Sequence, residues 1–324
     1  MQPVFESSSL PALPLPPLKP VAGLDARGRY SLAPSIRDEN RAVWPVFAVF
    51  VSAMAATIGA SFFAIAAFVA AGHGQTTNNT ELQAGVQQML ADPLGILTLM
   101  AAAQVAFLIV ALAAAAVSPL GIKRRLSLGQ SRIPIWGYLF LPLGMFAISM
   151  LFNALLRVLH VELGGSLQML DTTFTQMSGR QVIIAVVIIG GMPGVAEEFL
   201  FRGYIQTRLT ARWGAALSIF VTALLFGAAH FDRFQSPATF IMGLYLGLIA
   251  YRAGSIRPSM WCHAINNGGS VLLTWLAGQH AGGDVTEQGS VAMQAGIGGG
   301  VLLMCVLILL LITRRPRKTQ LALT

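Results

Sequence analysis

Two adjacent glutamates and an arginine, in Glu197-Glu198-Phe199-Leu200-Phe201-Arg202, interrupt one of the most apolar regions of the chain. They follow Gln181-Val-Ile-Ile-Ala-Val-Val-Ile-Ile-Gly190, which reads as the first half of a membrane span. An ionisable group at that depth costs about 2.5–3.5 kcal/mol on insertion scales. Three of them there must pair, line a wet cavity or do chemistry. Helix geometry separates the two acids. Glu198 and Arg202 are four residues apart and nearly stacked, in the order that favours an intrahelical ion pair. Glu197 lies about a quarter-turn round the helix and has no local counter-ion, which makes it a candidate general base. The plainer alternative is that all three residues anchor helices.

Two histidines stand at comparable places. His230 ends an apolar stretch four residues after Phe226, and His263 lies in another, four residues before Asn267. Taken singly, each fits a polar contact between helices; beside an unpaired glutamate they fit a catalytic set. From the arginines at 208 and 212, the stretches back to Glu197 and on to His230 rise about 22 and 27 Å, so these two side chains reach similar depths. His263 lies only about 9 Å beyond Arg257, so a tilt or a recessed loop must bring it level. Upstream, Gly190-Gly191-Met192-Pro193-Gly194 predicts a kink or break, with a helix restarting near Pro193 and Glu197 close to its positive end. Cys262 and His263 are not a dyad, because helix neighbours point about 100° apart. There is no His-Glu-x-x-His zinc motif, no Gly-x-Ser-Gly motif and no pair of intramembrane aspartates. Glu197, His230 and His263 are the residues that would hold a zinc ion with an open position; a glutamate-activated water needs no metal.

The elements that must position these residues are helices in a bilayer. The chain has 324 residues, 55% hydrophobic and only 10% charged, with mean hydropathy +0.68, whereas a soluble domain carries about 25% charged residues. The expected fold is therefore all-α: a polytopic membrane protein of about eight transmembrane helices enclosing an intramembrane polar cavity. Its spans are expected at 43–71, 94–119, 134–159, 181–208, 213–230, 237–252, 258–278 and 293–313. The net charge of +8 comes from basic residues at the ends of apolar runs, where they set orientation, so nucleic acid is not the partner. Their alternation between connectors predicts both termini on the cytoplasmic side. Segments 72–93 and 279–292 contain no Lys or Arg. Cys262 and Cys305 both fall in apolar runs and imply no disulfide framework. No apolar signal region occurs in the first forty residues.

Residues 1–40, with seven prolines, read as a disordered tail. The remaining organisation is expected to be N-terminal transmembrane helices over 41–175, a catalytic helical core over 176–280, and a last span with a basic tail over 281–324. The fifth and sixth spans are short and joined by the polar link 230–236, which suggests a recessed turn. Gly243-x-x-x-Gly247 and Gly296-x-x-x-Gly300 have spacing that permits close helix contact. No internal repeat marks an inverted-repeat transporter.

Glu197-Glu198-x-x-x-Arg202, Phe226-x-x-x-His230 and His263-x-x-x-Asn267, in this order on successive apolar segments, resemble the CPBP family of intramembrane proteases. That family includes the type II CAAX prenyl endopeptidases and the bacterial Abi proteins. The resemblance spans about residues 180–275. It implies an intramembrane endopeptidase, here in a prokaryotic cytoplasmic membrane, acting on a peptide or membrane-protein substrate. Glu197 and His230 would activate a water, His263 and Asn267 would steady the oxyanion, and Glu198, Arg202 and Phe226 would support them. Metal dependence is disputed for the family, so zinc is left open. The competing readings are a catalytically inactive scaffold or bacteriocin-immunity-type binding protein and, more distantly, a proton-coupled transporter.

Overall fold

The computed structural model describes residues 23–24, 30–31, 42–73, 78–161, 166–279 and 291–313. The chain divides into two compact units, Met1–Asn40 and Arg41–Thr324. In the first, β1 (Gly23–Leu24) pairs antiparallel with β2 (Tyr30–Ser31). The rest of the Pro-rich tail lies outside the described residues.

The second unit is helical in all its described elements. It runs α1 (Trp44–His73), α2 (Asn79–Ala91), α3 (Pro93–Ala116), the short α4 (Ile122–Arg125), α5 (Gly137–Val158) and α6 (Ser166–Gln176). Then follow the long α7 (Gly179–Trp213), α8 (Ala215–Ala228), α9 (Gln235–Ala253), α10 (Arg257–Gln279) and α11 (Val291–Ile312). Local chemistry sets several starts. Asp92 accepts hydrogen bonds from the Leu94 and Gly95 amides, with Pro93 at the first turn of α3. Ser178 and Gln181 form a reciprocal capping box at the start of α7. Asp232 takes the Phe234 and Gln235 amides at 2.8 Å each at the start of α9. Gly214 joins α7 to α8 at φ +78°, and Gly254 ends α9 at φ +65°; residues with a Cβ rarely adopt either conformation.

Among the described residues, 5 helices are long and apolar enough to cross a membrane: α1, α3, α5, α7 and the greater part of α11. The expected count of eight does not follow from length and apolarity. Helix α8 has 14 residues, about 21 Å at 1.5 Å each, and is short for a bilayer core. Helices α9 and α10 carry polar residues through their length, among them Gln235, Thr239, Ser259, His263, Asn266 and Asn267. Outer faces are apolar and uncovered, as at Phe63 (77% exposed) and Leu139 (72%).

The expected break at Pro193 is absent. Helix α7 continues through it, and its turns widen to π-helical at Val186–Gly191 and Phe199–Gln206; the Met192 amide bonds the Val187 carbonyl, five residues back. A widened turn takes up the proline's missing donor and ring clash without ending the helix.

Candidate active site

Helices α7 and α10 meet without side chains between them. A Cβ on Gly190 would stand 2.8 Å from Gly268 Cα, and one on Gly194 would stand 2.9 Å from both Ala264 Cβ and the Met260 carbonyl oxygen. Gly190 and Gly194, four apart, thus face Ala264 and Gly268, also four apart, so the two backbones approach closely. This contact brings the acids of α7 to the histidine of α10. The spacing expected to act at Gly296 and Gly300 makes no such contact, since neither has a neighbour within 4 Å of its would-be Cβ.

Glu198 and Arg202 are both buried, and Arg202 Nη1 donates to Glu198 Oε1 at 2.7 Å. His263 Nδ1 lies 3.1 Å from the same Oε1. A carboxylate only accepts, so Nδ1 carries the proton of this bond. That fixes the ring and aims its Nε2 at Glu197 Oε2, 3.8 Å away. Arg202 Nη2 donates to the Gly243 carbonyl at 3.3 Å, and Gln206, four residues on, donates to the Gly247 carbonyl at 2.9 Å. Gly247 leaves room for the second reach, since a Cβ there would stand 2.8 Å from Gln206 Oε1. The Arg202 guanidinium also lies 4.3 Å from the centre of the Phe226 ring. Phe226 packs edge-on to both His230 (5.2 Å between centres) and His263 (5.8 Å).

Glu197 is not without a partner. Gln104 of α3 donates to its Oε1 at 2.7 Å. The sequence reading missed Gln104, although an amide within the apolar run Pro93–Ala116 is itself a signal, because polar groups in a bilayer need a reason to be there. His263 stands level with the glutamates because the α9–α10 turn is recessed. Ser255 and Ile256 are buried there, Ser255 Oγ bonds the Gly129 carbonyl, and the Ile256 amide bonds Ser127. The covering segment is itself held to α7: Thr207 Oγ1 donates to the Arg125 carbonyl at 3.4 Å. The Arg125 guanidinium is pushed down to about 10 by burial and by its neighbour Arg208.

Asn267 Nδ2 donates to the Ile189 carbonyl at 3.3 Å, and Asn266 Nδ2 donates to Asn267 Oδ1 at 3.1 Å. His230 Nδ1 bonds the Phe226 carbonyl at 2.9 Å. A carbonyl only accepts, so this ring too turns Nε2 outward. Glu197, His230, His263 and Asn267 all line one cavity of about 920 Å³; Glu198 and Arg202 lie behind it. Among the described residues, no three His, Cys, Asp or Glu side chains are grouped to hold a metal ion; the Nδ1 bonds of the two histidines fix their tautomers and leave each Nε2 free. As placed, Glu197, His230 and His263 are not grouped as a ligand set.

Helices long and apolar enough to span, packed beside a buried polar cluster, indicate an integral membrane protein. Residues 179–269 match the family model described as type II CAAX prenyl endopeptidase Rce1-like. The chain therefore carries an Rce1-like domain, of the CAAX-protease type, over that stretch. Comparison with curated proteins and with solved structures gives no match.

Proposed function

We propose that the protein is an intramembrane endopeptidase that hydrolyses a peptide bond in or near the bilayer with a water activated by Glu197. The observation that carries this reading is the shared cavity, with Glu197 Oε2 and His263 Nε2 facing each other across 3.8 Å. A water there can reach both atoms. Gln104 occupies Glu197 Oε1, so Oε2 is the oxygen left to take the water's proton as the oxygen attacks the carbonyl carbon. Neutral His263 presents a lone pair from Nε2 to the same water, and its Glu198 partner stabilises the ring if it takes up the proton. His230 Nε2, once protonated, can donate to the oxyanion or to the leaving amine. Asn267 has two amide N–H donors and spends one on Ile189; the second is free to steady the tetrahedral oxygen. Glu198 and Arg202 orient and neutralise. All eight hydrophobic stretches form the membrane bundle, α8 being a short apolar member and α9 and α10 its more polar ones, with both termini on the cytoplasmic side of a prokaryotic membrane.

The test is hydrolysis of quenched apolar peptides by the purified protein in detergent, wild type beside Glu197→Gln. Turnover by wild type alone supports the reading. Equal and negligible turnover by both, with intact melting curves, would favour the inactive scaffold.

A further inference from the structure

The cavity extends beyond the residues used above. Along α10 its lining continues from His263 through Asn267 and Ser270 to Thr274, and across from these stand Ser149 and Asn153 of α5. Asp171 of α6, an exposed residue, also lines it, one turn before Thr175, which packs against Gly278 near the end of α10. The ionisable side chains lining the cavity are Asp171, Glu197, His230 and His263; among the described residues no Lys or Arg lines it. The Asp171 backbone carbonyl takes the Thr175 hydroxyl, and no described side chain pairs with its carboxylate. Hydroxyls and amides at helical spacing, leading from a reactive centre to a bare carboxylate, suit an extended peptide whose backbone bonds along the track. A free C-terminal carboxylate would meet the Asp171 carboxylate there.

We propose that this polar arm is the substrate's docking track and that Asp171 receives a cationic group of the peptide, a basic side chain or a free α-amine. The inference rests on the proteolytic reading only for its distance from the cut bond. Ser270 and Thr274 lie about 10 and 16 Å along the helix from His263, and an extended chain covers that span in about three to five residues. Asp171 is thus a specificity residue that selects a cation about three to five residues from the scissile bond and disfavours a carboxylate there.

The experiment uses the full chain in detergent and quenched apolar decapeptides in which one lysine is walked along an otherwise uncharged sequence. Each peptide is made with a free or acetylated N-terminus, so that the two sources of positive charge are told apart. Turnover is read as kcat/KM, and binding is read separately by fluorescence anisotropy on Glu197→Gln. Lysine at the favoured distance should raise both over the uncharged parent by about two- to fivefold, the size of an exposed ion pair. Asp171→Asn should bring that ratio to one, and Asp171→Lys should favour a glutamate peptide instead. A flat binding profile along the lysine walk, or a preference that survives Asp171→Asn, overturns the proposal. Lysine-dependent binding without turnover by wild type removes proteolysis and leaves the docking track standing.

Discussion

Asn267 serves the carbonyl oxygen of Ile189, in the widened turn that Pro193, with no N–H of its own, leaves one backbone donor short. The same arrangement recurs on α5. Pro142 leaves the Tyr138 carbonyl without its helical donor, and Trp261 Nε1 supplies one at 2.9 Å. Both substitute donors come from α10, so that helix is docked on two prolines by its side chains. Asn267→Ala should therefore lose stability as well as rate, by about 1–3 kcal/mol for a buried acceptor left bare. Adding Pro193→Ala restores a backbone donor and should recover part of the melting temperature but not the activity. An Asn267→Ala variant that melts like wild type would show that the Ile189 bond is idle.

The two glutamates should fail differently. Glu197→Gln keeps shape and removes the base, so the variant should insert, melt normally and be inactive. Glu198→Gln takes the charge from a carboxylate that holds both Arg202 and His263, and breaking a buried pair costs about 3–5 kcal/mol. It should lose stability and activity together, as should Arg202→Ala. The measurement is a melting curve beside a turnover assay for each. An early-melting Glu197→Gln with a stable, inactive Glu198→Gln would exchange the two roles.

Gln104→Leu should lower kcat while leaving KM nearly unchanged. The bond it removes is to a charged acceptor, a class worth about 1.5–3 kcal/mol, and it holds the glutamate rather than the substrate. The corresponding loss is roughly tenfold to a hundredfold in rate. A rise in KM with kcat intact would instead mark Gln104 as a substrate contact.

Glycine at 194 is required by contact, and at 191 it is not. Gly194→Ala would press a methyl group into Ala264 and the Met260 carbonyl, at about 1–3 kcal/mol for overpacking. It should also part Glu198 from His263. Gly191 has nothing within 4 Å, so Gly191→Ala should be neutral or slightly stabilising. Equal melting temperatures for the two variants would show that α7 and α10 are not held at this point.

Exhaustive chelation should leave turnover intact, because the cavity's ionisable groups are not grouped as ligands. Stoichiometric zinc by elemental analysis, with activity lost on its removal and recovered on its return, is the opposing result.

Helical class, membrane setting and the Glu198–Arg202 pair were legible in the sequence because each depends on composition or on spacing within one helix. The widened turns were not. A proline among glycines reads equally as break, kink or π-turn, and only the packing of α10 against α7 decides between them. Whether tilt or a recessed loop brings His263 level was undecided for a similar reason: the α9–α10 turn is covered by residues 127–132, more than a hundred positions away in the chain. Gln104 was out of reach because its partner lies 93 residues on, and no local pattern connects a lone amide to a distant acid. Length and apolarity alone reach 5 spans and not eight, partly because the polar residues of α10 lower its hydropathy.

Gln104 belongs to α3, outside the stretch 179–269 that matches the Rce1-like family. On the proposed reading, the reacting groups and the amide that orients Glu197 therefore come from different parts of the chain. A chimera that grafts 179–269 onto foreign spans would carry both glutamates and both histidines, yet leave one oxygen of Glu197 to find its own partner. Recombination could move the chemistry between scaffolds intact and still have to reinvent the amide that aims it.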